Sequence, residues 1–184
     1  MTILFLGLAL FFLIHLIPMV PGLREVLVNR LGKNGYRGAF SLAALAGLLL
    51  IIWGKSVAPF KVWYTAPLVS YTIAYLLVMV AFILFPASHM PTNIRRFTRH
   101  PMLWGIVIWG LAHLLMNGDQ ASVVLFGSFV IYGLIAMISA NARGAELSVT
   151  AVPIKKDIIV VVAGLVVYAV IFMMHGWLFG YPLR

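Results

Sequence analysis

Of the side chains here that could do chemistry, two histidines come first, because His15 and His113 stand inside long apolar runs. An ionisable group within a hydrocarbon span is costly to keep there, so each is a functional candidate until a structural partner accounts for it. His15 occurs in HLIPMVPGLR, where Pro18 and Pro21 are expected to end a helix and Arg24 follows at the inner surface. Its structural reading is a ring bonded to a backbone carbonyl freed by Pro18. His113 occurs in WGLAHLLMNGD, and its structural reading is a hydrogen bond to a Ser, Tyr or Asn of a neighbouring helix. The functional reading rests on depth. At about 1.5 Å per residue, His15 falls on the order of 8 Å and His113 roughly 17 Å from the inner boundary. Both imidazoles could reach one object in the inner-to-middle membrane. A b-type haem is one such object, since neutral imidazole is a good axial ligand and helix bundles hold cofactors between facing helices. Arg24, Arg37, Arg95, Arg96 or Arg99 could then serve its propionates.

His100 lies in TRHPMLWG, where Pro101 suits the first turn of a helix. The bland account is an interfacial helix start whose Arg95, Arg96 and Arg99 bind lipid phosphate. At about 100° per residue, His100 and His113 fall on roughly opposite faces of that helix. His89 and His175 read as interface histidines, and Trp104, Trp109 and Trp177 as belt or packing residues. The chain has no cysteine, which removes disulfides, thiolate metal sites and Cys nucleophiles. Gly-rich phosphate loops, HExxH and G-x-S-x-G are absent. The only acids are Glu25, Asp119, Glu146 and Asp157, all expected at loops or helix ends, so paired-carboxylate chemistry within the membrane is excluded.

The elements that must position these groups are membrane helices. With 64% hydrophobic and 9% charged residues, the chain has too little polar surface to cover a water-soluble globule. Apolar runs long enough to span fall at 3–20, 39–53, 67–86, 102–116, 121–140 and 158–179, the second and fourth being short. The expectation is an all-α, polytopic integral membrane protein of about six transmembrane helices in one bundle, a single domain over 1–184. The N-terminal run lacks a basic flank and a cleavage site and reads as a retained first helix. The net charge of +9 comes from short juxtamembrane clusters, so lipid rather than nucleic acid is the expected partner. With both termini outside, the inner side holds Arg24, Arg30, Lys33, Arg37, Arg95, Arg96, Arg99, Arg143, Lys155 and Lys156. The outer side holds Lys55, Lys61 and Arg184. Asn117-Gly118-Asp119-Gln120 is a short turn that makes helices four and five antiparallel neighbours. Ser41, Ala43, Ala44 and Gly47 form a small-residue face on helix two.

HLIPMVPGLR, GYRGAFSLAALAGLLLIIWG, RHPMLWGIVIWGLAHLLMNGD and FGSF together resemble the NnrU family, over most of the chain up to about residue 130. The tail from Asn141 on is only generically membrane-like. The resemblance implies a multi-pass protein of the bacterial inner membrane linked to denitrification, with nitrite and nitric oxide metabolism as its setting. The family is similar to the plant 15-cis-zeta-carotene isomerases, which hold a b-type haem between two histidines. That similarity implies His15 and His113 as axial ligands and His100 as a functional residue, but shared ligands need not mean a shared substrate, and isomerase activity does not follow from it. The function stays open between denitrification-linked, redox and isomerase roles on a small hydrophobic or nitrogen-oxide substrate, with a membrane redox partner. Two other readings stand beside it. The RHP element is similar to RHPxYxG of S-adenosylmethionine-dependent membrane methyltransferases, although Leu103 replaces the tyrosine and only Glu146 follows where those enzymes have two glutamates. A non-catalytic scaffold or transport accessory with structural histidines is the other.

Overall fold

The computed structural model describes residues 1–180. Its helices are α1 (Thr2–Leu16), α2 (Pro21–Ser56), α3 (Leu68–Ala87), α4 (Pro101–Met116), α5 (Gln120–Ala142) and α6 (Ile154–Phe179), with single 3-10 turns at Ile17–Met19 and Asn93–Arg96. Thr2–Met19, which joins α1 to its 3-10 turn, and α2, α3, α5 and α6 are long and apolar enough to cross a membrane. At 16 residues, α4 is about 24 Å long, short of the roughly 30 Å hydrocarbon core. Arg184, expected on the outer side, lies outside the described residues. The helices group into two compact units, Met1–Lys61 and the residues from Val62 on.

In the first unit the helix break comes at Pro18, whose 3-10 turn ends α1. Pro21 does not end a helix, as the sequence suggested, but opens α2 at a position where its missing N–H costs nothing. The basic stretch read as a loop is helical, because Leu23-Arg24-Glu25-Val26-Leu27 is made of residues compatible with a helix. Its break is Gly32, at φ 71° and ψ 160°, a backbone region nearly closed to other residues. That bend lets the Arg24 guanidinium sit 6.0 Å from the Tyr36 ring centre. On a straight helix those two residues would be about 18 Å apart along the axis.

Helices α1 and α2 then meet backbone to backbone. A Cβ on Gly54 would lie 2.3 Å from the Leu4 nitrogen, one on Gly7 2.6 Å from the Ile51 nitrogen, and one on Gly47 2.9 Å from the Phe11 nitrogen. Of the expected small-residue face, Gly47 makes the close approach, while Ser41 is exposed. The seam continues instead through Gly54.

In the second unit, α4 packs between α3 and α5, and α6 lies against α3. Gly164 admits the Ile83 backbone, where a Cβ would lie 2.6 Å from the Ile83 Cα. The turn before α5 behaves as expected: the Asp119 carboxylate caps the helix, accepting from the Ser122 N–H at 3.0 Å and its hydroxyl at 2.5 Å. The Gly118 carbonyl accepts from the N–H groups of Trp63 and Tyr64 at 2.8 and 3.1 Å, tying the preceding loop to this turn. Burial is inverted relative to a soluble core. Ala74, Ala81, Ala87 and Ala112 are fully buried, while Leu68, Met173 and Trp177 are 78% exposed or more. Small residues inside and large apolar ones outside are what lipid as solvent selects.

Candidate functional site

His15 lies one turn before the Pro18 break, and its Nδ1 is 2.6 Å from the Phe11 carbonyl oxygen. A carbonyl only accepts, so Nδ1 carries the hydrogen and the lone pair of the neutral ring falls on Nε2. The acceptor is thus not the carbonyl that Pro18 deprives of its usual donor, that of Ile14, which accepts instead from the Ile17 N–H. The ring is stacked on Phe11 at 4.1 Å between centres and meets the edge of Phe40 at 5.1 Å.

His113 repeats this arrangement in the second unit. Its Nδ1 donates to the Trp109 carbonyl at 2.8 Å, one turn back on the same helix, and its ring lies 4.4 Å from Phe126 and 4.8 Å from Trp109. The expected bond to a neighbouring helix is therefore replaced by one within α4. Both half-buried imidazoles have their tautomer set by a carbonyl four residues earlier and their plane set by a phenylalanine. That arrangement places the ring lone pair on Nε2, the nitrogen through which such an imidazole ligates a metal. Among the described residues no three His, Asp or Glu side chains converge as a metal site, so ligation here would rest on one histidine per unit.

The two candidate arginines of the first unit share a cavity. Pro18, Arg24, Tyr36, Arg37, Phe40 and Ser41 line a hollow of about 240 Å³. Phe40 belongs both to this lining and to the rings around His15. Tyr36 is one of its lining residues, and the Tyr36 hydroxyl is buried without a hydrogen-bond partner. Sequence reasoning reached Arg24 and Arg37 through their charge but passed over Tyr36, whose type carries no signal until Gly32 turns it under Arg24.

Arg99 and His100 belong to the second unit. His100 Nε2 lies 2.9 Å from the Asn141 side-chain oxygen and Arg99 reaches the same oxygen at 3.4 Å. His100 is the residue before Pro101 and His113 is in the last turn of α4, so thirteen residues, roughly 20 Å of helix rise, separate them. The structure does not bring His100 to the ring of His113. Asn141 had no motif to mark it.

The second unit holds another polar cluster that sequence reasoning missed. Asp157 Oδ1 accepts from the Thr92 hydroxyl at 2.6 Å and the Asn93 N–H at 2.7 Å, and Oδ2 accepts from the Asn93 amide at 2.7 Å. Asn93 also exchanges bonds with the Val152 backbone at 2.8 and 3.1 Å. Asp157 precedes the apolar run of α6. Hydrogen bonds from the Asn93 side chain, Thr92 and the Asn93 backbone hold its carboxyl below the usual carboxylate range. Its signal was scarcity, since only four acids occur in the chain.

Comparison with known proteins joins these pieces. The sequence model of the family described as "NnrU protein" matches residues 3–183, and the chain belongs to that family. The match takes in the tail beyond Asn141, which the sequence alone left as generic. A 15-cis-zeta-carotene isomerase, chloroplastic, of Zea mays is 29% identical over 105 residues, covering 56% of this chain. That stretch is 27% of the maize protein's length, so the chain spans about a quarter of this relative. No solved structure matches.

Proposed function

We propose that this NnrU-family chain is a b-type haem protein of the bacterial cytoplasmic membrane, in which the Nε2 atoms of His15 and His113 would hold the haem. The observation that carries the reading is the duplicated histidine setting, Nδ1–H to the carbonyl four residues back and one ring face on a phenylalanine, in each unit. The carbonyl holds the ring in the ligating tautomer, and the phenylalanine resists its rotation. A haem held by these two rings would supply one-electron redox chemistry. His100, about 20 Å of helix away, serves with Arg99 and Asn141 at the opposite end of α4 as a proton-handling group rather than as a replacement ligand. Similarity to an enzyme named for a carotene substrate supports a membrane-soluble substrate. Family membership supports a setting in nitrogen-oxide metabolism. The basic clusters support an orientation with both termini periplasmic.

Absorption spectra test the ligation directly. Protein expressed with added haem and purified in detergent is expected to show a Soret band that shifts on reduction. His15→Ala and His113→Ala should each lose most of the bound haem, while His89→Ala and His175→Ala retain it. A wild-type protein without the band, or equal retention in all four variants, refutes the proposal.

A further inference from the structure

The hollow beside His15 has a chemistry of its own. Arg24 and Arg37 line it together with Tyr36 and Ser41, and the Tyr36 hydroxyl is buried with nothing to receive its hydrogen. A buried O–H without an acceptor costs about 1–3 kcal/mol, and two cations at one cavity repel. Both costs vanish when an anion with acceptor oxygens enters. Pro18 and the Phe40 ring supply the apolar part of the lining. At about 240 Å³ the cavity is below the roughly 300–1,000 Å³ of sites that enclose a drug-sized molecule, so it takes an end group and leaves the rest outside.

We propose that Arg24, Tyr36, Arg37 and Ser41 form an oxyanion pocket that receives the carboxylate or phosphate end of an amphipathic molecule whose apolar body stays in the bilayer. Arg24 and Arg37 neutralise the charge, with the planar donor forks that suit both groups. The Tyr36 hydroxyl donates to one oxygen, and the bend at Gly32 holds Arg24 on the same side as Tyr36. Two sources offer this chemistry: the phosphate of an acidic lipid, and a carboxylate of the haem proposed at His15. Only the second rests on the haem reading.

The test uses the full chain, purified in dodecyl maltoside and stripped of lipid, with binding followed by thermal shift and native mass spectrometry. One arm compares dihexanoyl phosphatidylglycerol with dihexanoyl phosphatidylcholine and inorganic phosphate. The other compares haem with haem dimethyl ester. In at least one arm the acidic ligand is expected to bind at least tenfold more tightly than its neutral analogue. Tyr36→Phe, Arg24→Gln and Arg37→Gln should each weaken it about five- to thirtyfold, while Lys61→Gln, an exposed position on the expected outer side that makes the same change in net charge as the arginine variants, leaves it unaltered. The arm that responds identifies the source. If haem fails to bind at all but phosphatidylglycerol binding falls in the three pocket variants, the pocket stands without the haem. Equal binding of acidic and neutral ligands in both arms, or equal loss in the Lys61 control, overturns the proposal.

Discussion

Replacing Gly54 by alanine adds one methyl group at the closest helix contact of the first unit. The new Cβ would stand 2.3 Å from the Leu4 nitrogen, 2.5 Å from the Leu4 Cα and 2.8 Å from the Ile3 carbonyl carbon, where ordinary contact is 3.4–4 Å. All three are backbone atoms of α1, so no side chain can swing aside. The helices must part by roughly 1 Å, and overpacking of this kind costs about 1–3 kcal/mol. Exchanging glycine for alanine in a helix returns up to about 1 kcal/mol. The net expectation is a loss of about 1–2 kcal/mol. Gly38→Ala on the same helix is the matched control, because nothing lies within 4 Å of its Cβ. There only the helix gain remains, and stability should be unchanged or rise by up to about 1 kcal/mol. Unfolding followed by circular dichroism against sodium dodecyl sulfate in mixed micelles would rank the two. If Gly54→Ala is as stable as Gly38→Ala, the backbone contact between α1 and α2 is wrong.

Gly32→Ala puts a Cβ on a backbone at φ 71° and ψ 160° and should cost about 1–3 kcal/mol despite the open space around it. In this cysteine-free chain, a short bis-maleimide should link Arg24→Cys to Tyr36→Cys, and the yield should fall when Gly32→Ala is added. Asp119→Ala removes the α5 cap and should destabilise by about 1–2 kcal/mol, with Asp119→Asn closer to the wild type in the same unfolding assay. The Asp157 carboxyl is held below its ordinary value, so the unfolded chain takes up its proton first as pH falls. Its contribution is therefore complete above the ordinary carboxylate value and disappears as pH drops through the lower folded value. Thermal midpoints of the wild type should fall on acidification below about pH 4, and Asp157→Ala should flatten that part of the profile.

By itself the sequence determined the features that composition and single helices decide. Lipid as solvent, the apolar runs, the short α4, the Asp119 turn and the isolation of His15 and His113 in apolar surroundings were all legible, because hydropathy and turn chemistry act over a few residues. Family motifs added the histidine pair and Arg99-His100-Pro101. Other features waited for the tertiary structure. Pro21 opens a helix rather than closing one because Pro18 has already made the break. Asn141 gained meaning only when the chain returned from α5 to His100, and Asp157 only when the residues around α6 met Thr92 and Asn93. Each histidine bonds within its own helix, which the sequence permitted but did not select over a partner elsewhere. The cavity beside His15 depends on one glycine whose backbone angles bring residues twelve apart face to face. A dihedral angle of that kind is decided by how the two helical segments pack, and no residue type in the run around it declares the bend in advance.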